Sequence, residues 1–352
     1  MPYLWFFFLN WVFFFKTNFF SLKIFSQTHE RLSKRSVIKQ LHHSLFLKWT
    51  MANIFFFLLV IFFQRGFSGQ FFFNHLYINN TLVYIIFFIF LLNFFFSYIV
   101  YNHSFSKINY STDYFFALSN LNNFFPLIFL SNTLFTFFFI LEVNSTIIFY
   151  KFVVSKIWYK NNQNYFDINI DKFNKLVPKN YLNVLFFQYW TTFFSTTLFL
   201  FFLINLIYYY GSSEFFFLNI FEYLLKGRGL NSNVVYNYIM FGFFLFSFFL
   251  KIGFTPVQLF KIEVYKGLPF VSIFFYTSFY FLVYFTYFVL FIFFYFSAFF
   301  NYIYFTLFLF IILGGLYTFS LIFDLNFIKA FFAYSTLLNS ILFMSLLFSG
   351  AC

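Results

Sequence analysis

Residues 234–250 carry no charge, and the lysine that closes this run, Lys251, stands five residues before Pro256. A soluble chain solvates its cations. A lysine at the end of an apolar run this long sits where water is scarce, and inside a membrane an ionisable residue is costly and marks a functional site by default. Glu142 is a second such residue, alone in the otherwise uncharged stretch 114–150. One acid and one base buried in the same apolar chain point to a path for protons.

The 352 residues are 62% hydrophobic and only 9% charged, which excludes an ordinary soluble domain. Phe contributes 81 residues. With the abundant Tyr, Asn, Ile and Lys, this is the spelling of an AT-rich genome, so a single Phe carries little functional information. Cys352 is the only cysteine, and all five histidines precede residue 104 without ligand spacing to an acid. No disulfide framework, metal site or haem is expected. The net charge of +12 lies in clusters between apolar runs. That pattern fits the positive-inside rule better than a nucleic-acid surface.

A spanning helix needs about 20 apolar residues. Ten candidate spans follow: 3–15, 50–64, 81–101, 114–131, 133–154, 183–209, 233–255, 268–297, 302–323 and 329–350. The first has its basic residues after the apolar run and no small-residue cleavage site, so it reads as a membrane helix rather than a secretory signal. The runs are too long and too continuously apolar for membrane strands. With the N-terminus outside, the loop 16–49, Lys107, the segment 151–182, Lys261, Lys266 and Lys329 face inward, and Arg65, Lys226 and Arg228 face outward. This counts seventeen inward basic residues against three outward. The loop 16–49 reads equally as an interfacial amphipathic helix or as an ordered connection.

Each candidate residue has two readings. Glu142 is a proton carrier, or a carboxylate bonded to Asn144 or Ser145 that holds helices together. Lys251 belongs to an ion path, or it snorkels to an interface. Pro256 removes a backbone donor and interrupts the seventh span, with Gly253 loosening the same turn. A broken helix is tolerated in a membrane only where protein or water covers its free carbonyls, and transporters place ion sites at such breaks. This favours the functional reading of Lys251.

The run KIGFTPVQLFKIEVYKGLP at 251–269 resembles the seventh-helix signature of the chain 2 family of NADH–ubiquinone oxidoreductase (complex I), with Lys251, Pro256, Glu263, Val264, Tyr265, Gly267 and Pro269 in place without a gap. DYFFALSN at 113–120 resembles the start of that family's fourth helix, and SNTLFTFFFILEVNS at 131–145 its fifth. FIKAFFAYST at 327–336, which contains Lys329, resembles the opening of the tenth. The resemblance covers residues 113–350; the first three spans fit by count alone. It implies an all-α polytopic membrane protein with an antiporter-like inverted-repeat bundle. Helices 1–3 occupy 1–112, a first antiporter-like unit 113–267, and the start of a second unit 268–352. It implies that Glu142 and Lys251 exchange charge as protons move in the membrane arm. It also implies that no redox group binds this chain, with NADH, FMN, iron–sulfur clusters and ubiquinone held by other subunits.

Chain 4L-type and chain 4-type neighbours, structural phospholipid such as cardiolipin, and a mitochondrial inner membrane location follow from the same resemblance, and no nucleic acid is expected. Three departures qualify it. The central lysine of the family's eighth helix falls on Phe281, and no Lys, His, Asp or Glu occurs in 268–323. Gln258 and Asn339 stand where the family has histidines. The family has fourteen helices, so a separate polypeptide is expected to supply the remaining ones. Two functions stay open: proton translocation coupled to NADH:ubiquinone oxidoreduction, or a structural spacer of the arm that has lost pumping.

Overall fold

The computed structural model describes residues 73–107, 112–162, 177–215, 234–254, 257–268, 270–295, 297–322 and 328–350, with 52, 54, 55, 58, 59, 66, 68–71 and 217. The first expected span, most of the second, the loop 16–49, Pro256 and Pro269 lie outside the described residues.

Long apolar runs become helices because a helix satisfies its backbone polar groups within the segment, the condition a membrane imposes. The helices are α1 (Asn80–Lys107), α2 (Thr112–Leu130), α3 (Leu134–Asn162), α4 (Val177–Tyr210), α5 (Val234–Ile252), α6 (Leu259–Gly267), α7 (Phe270–Phe274), α8 (Phe281–Tyr295), α9 (Ser297–Ile322) and α10 (Ile328–Gly350). A π-helical turn, Phe275–Tyr280, joins α7 to α8. Among the described residues, three segments are long and apolar enough to cross a membrane: Leu134–Val154, Asn183–Tyr209 and Ser272–Phe291. Shorter apolar helices cover Asn80–Phe96, Phe116–Leu130, Ile239–Ile252 and Leu307–Ile322.

Among the described residues, strands, not expected from the sequence, occur in one place. Gly69–Phe71 (β1) and Leu76–Ile78 (β2) pair antiparallel, with Gly69 opposite Ile78. The turn between them holds Phe73 and Asn74 at φ of 54° and 66°. The segments are three residues each, too short to show above the apolar background. The hairpin ties three connections together. Asn132 donates its N–H to the His75 carbonyl at 2.9 Å, and Leu134 donates to the Ser213 carbonyl at 2.9 Å. The connections before α1, between α2 and α3, and after α4 therefore meet at one end of the bundle. Lys329 Nζ donates to the Leu268 carbonyl at 2.9 Å, joining the connection before α7 to the start of α10.

The core is largely aromatic. Phe137 of α3 stacks on Tyr287 of α8 at 4.3 Å between ring centroids and on Phe248 of α5 at 5.8 Å. Phe199 of α4 and Phe291 of α8 close the cluster. Buried polar groups add directed links where apolar contact alone does not fix helix rotation. Asn93 of α1 bonds Asn122 of α2, and Ser195 of α4 donates to the Ser247 carbonyl of α5 at 2.9 Å. Gly315 lets α9 approach α10: a Cβ there would meet Ile341 Cγ2 at 3.3 Å. These contacts hold α3, α5 and α8 around the two charged residues singled out in the sequence.

Candidate functional site at the broken helix

Helix α5 stops at Gly253. Its φ of +78° is left-handed, and the Phe254 N–H reaches back to the Phe249 carbonyl at 3.0 Å. That bond and a left-handed glycine just past the last helical residue form a Schellman-type ending. The sequence assigned the interruption to Pro256 with Gly253 assisting; among the described residues, Gly253 makes the stop. Four carbonyls at a helix end lack intrahelical partners. The Lys251 carbonyl finds one in the Tyr280 hydroxyl, which donates to it at 3.0 Å.

Glu142 and Lys251, 109 residues apart, meet here. Lys251 Nζ donates to Glu142 Oε1 at 3.3 Å. The lysine side chain is 4% exposed and the carboxylate 33%. Lys251 lies in the last turn of α5, where the helix dipole favours a cation. Neither alternative partner bonds the Glu142 carboxylate. Ser145 donates to the Glu142 backbone carbonyl, not to the carboxylate, and the buried Asn144 amide makes no hydrogen bond among the described residues. The pair can therefore hold one proton deficit and one proton excess against each other, and movement of either partner changes the cost of both charges.

Two further lysines, both assigned to inward loops by the charge count, are buried within helices. Lys151, on α3, is fully enclosed and sits 2.9 Å from the centre of the Phe275 ring. Lys261, on α6, is 1% exposed and lies 5.0 Å from the centre of the Phe281 ring. Both therefore drop out of the charge count on which the expected orientation rests. Helical spacing is the signal that finds Lys261. Lys261, Val264, Tyr265 and Leu268 follow at i, i+3, i+4 and i+7 and are all buried, whereas Glu263 and Lys266 pair on the exposed face at 2.6 Å.

The π turn is the common neighbour. Its first residue, Phe275, carries Lys151; its last, Tyr280, holds the Lys251 carbonyl; and Phe281, next in sequence, faces Lys261. Single π turns inside helices occur frequently at functional sites. Tyr276, Tyr280 and Tyr284 stack along this segment with centroids 4.6 and 4.4 Å apart. Of the motif residues, Tyr265 is buried with its ring 5.8 Å from that of Tyr276, and Gly267 ends α6. Glu263 faces outward on Lys266, away from the Glu142–Lys251 pair.

The class defined by these features is a helical membrane bundle with a charged pair at a broken helix. No family model and no curated protein matches the sequence. Among solved structures, the fold is similar to that of a chain in respiratory complex I from Thermus thermophilus, determined with bound aureothin. The TM-score is 0.62 at 12% identity, over 90% of this chain and 62% of that one. At this identity the likeness is one of fold, and the chain spans 62% of its neighbour's length.

Proposed function

We propose that the chain is a membrane-arm subunit of respiratory complex I, of the chain 2 type, and takes part in proton translocation coupled to NADH:ubiquinone oxidoreduction. The observation that carries this reading is the Lys251–Glu142 contact of 3.3 Å at the break between α5 and α6, in a fold similar to a complex I chain. Residues 113–267 serve as the first antiporter-like unit and 268–352 as part of a second. Redox groups reside in other subunits, with chain 4L-type and chain 4-type subunits and cardiolipin-like lipid as neighbours. The location is the mitochondrial inner membrane.

The mechanism is charge exchange without electron transfer. With Glu142 close, the Lys251 ammonium is held. When a conformational change in the arm separates them, the lysine's proton becomes costly to keep in a dry interior and leaves; reclosure draws a new one in. The spacer reading is favoured by one specific observation, the absence of any Lys, His, Asp or Glu from 268–323.

The deciding experiment is Glu142→Gln in the complex, purified and reconstituted in liposomes. A fall in protons moved per NADH oxidised, with the rate of uncoupled NADH oxidation retained, is the expected result. An unchanged ratio in a normally assembled complex makes the subunit a spacer. Recovery of the chain from native electrophoresis only as a free monomer removes it from complex I altogether.

A further inference from the structure

We infer that Lys261 is a second proton-exchanging lysine of this subunit, supplied by the far half of the broken helix and lying between Gly253 and Phe281. The inference rests on the proton-translocating reading. Lys261 is 1% exposed, and its Nζ makes no hydrogen bond and no ion pair with any described residue. Its Nζ faces the rings of Phe281 at 5.0 Å and Tyr265 at 6.0 Å. An ammonium buried without anion or acceptor is costly to hold, and a ring face compensates only in part. The carboxylate that might have neutralised it, Glu263 on the same helix, is turned outward onto Lys266. In a membrane, an ionisable residue kept under these conditions marks an ion or proton pathway.

Its position ties it to the first pair. Gly253, two residues after Lys251, leaves the space that the Lys261 stem fills: a Cβ on Gly253 would lie 2.8 Å from Lys261 Cδ. Tyr280 grips the Lys251 carbonyl, and the adjacent Phe281 faces Lys261 Nζ. The two lysines therefore flank one break and one π turn. Gln258, one turn before Lys261 on the same face, is 2% exposed with its Oε1 unbonded among the described residues. That leaves a buried, unbonded acceptor one helical turn from the lysine. The step is proton transfer alone. Lys261 Nζ gives one proton to water, passing from –NH3+ to –NH2, and later takes one back; only N–H and O–H bonds change. The region without a Lys, His, Asp or Glu of its own, α7 through α9, is thus served by a lysine reaching in from α6.

The test compares Lys261→Met, Lys261→Arg and Lys266→Met in the reconstituted complex, with Glu142→Gln alongside. Arginine keeps the cation and its ring contact but does not release its proton. A purely structural cation survives that change and a proton carrier does not. The expected result is that Lys261→Met and Lys261→Arg both lower protons moved per NADH by an amount comparable to Glu142→Gln, while the exposed Lys266→Met leaves the ratio unchanged. Restoration of the ratio by combining Lys261→Leu with Phe281→Lys, which returns an amine to the same space, supports the assignment further. If Lys261→Met does not assemble, the arginine variant decides by itself. A normal ratio in Lys261→Arg while Glu142→Gln lowers it overturns this assignment and leaves the proton-translocating reading standing. Normal ratios in both overturn that reading too.

Discussion

The two helices on either side of the break at Gly253, α5 and α6, each carry one buried lysine, in opposite electrostatic settings. Lys251 ends α5, in the last turn of its helix, where the dipole is negative. It has a carboxylate at 3.3 Å. Lys261 lies in the first turn of α6, where the dipole opposes a cation, and it faces aromatic rings. One half of the span is arranged to hold a charge and the other to make holding it expensive. The break contributes to this contrast, since an unbroken helix has no such change of dipole sign at its middle, and the neighbours Glu142 and Phe281 complete it.

The largest effect is expected where the held charge loses its partner. Glu142→Gln leaves the Lys251 ammonium buried with no anion. Breaking a buried pair costs about 3–5 kcal/mol. Lys251→Met leaves instead a carboxylate that is 33% exposed on the chain, so its cost is the smaller of the two. Thermal dissociation of the detergent-solubilised complex, followed by native electrophoresis, should lose Glu142→Gln at the lower temperature. The reverse order would mean that Glu142, not Lys251, bears the burial cost, and the contrast between the halves would lose its basis.

The pair was legible in the sequence because charge is rare in this chain. With 9% charged residues, a single Glu in 114–150 stands out. The break was legible from Gly253 and Pro256, although the left-handed glycine, a conformational property rather than a compositional one, fixes where α5 stops. Lys261 was not legible by composition. It lies near Lys266 in a run that reads as a basic loop, and only the period of α6 separates the buried lysine from the exposed one. Lys151 was lost in the same way, as the first residue of an apparent basic segment that continues α3 instead. The π turn has no sequence signature, because its residues, FYTSFY, differ little from the aromatic runs on either side. The β hairpin was hidden by its brevity.

A middle-sized effect is expected at the joint between the halves. Gly253→Ala demands a left-handed alanine at φ +78° and sets a Cβ 2.8 Å from the Lys261 stem. The backbone strain alone costs about 1–3 kcal/mol, and the stem must move. The measurement is twofold: a fall in dissociation temperature smaller than that of Glu142→Gln, together with a fall in protons moved per NADH. Lost stability with an intact ratio would show that the joint is structural and that the position of Lys261 does not matter to transport.

The smallest effect belongs to the exposed face of α6, and it sharpens the contrast because Lys266 and Lys261 share one helix. Lys266 Nζ bonds Glu263 Oε1 at 2.6 Å, but the side chains are 38% and 43% exposed. A pair this open gains little from its short distance. Screening and the entropy of fixing two long side chains leave about 0–1 kcal/mol. Lys266→Met should therefore shift the dissociation temperature little or not at all, and leave both NADH oxidation and the proton ratio at the parent values. If Lys266→Met instead lowers the proton ratio as far as Lys261→Met does, transport depends on positive charge anywhere along α6. Burial then ceases to be what distinguishes a proton-exchanging lysine from its neighbours in this chain.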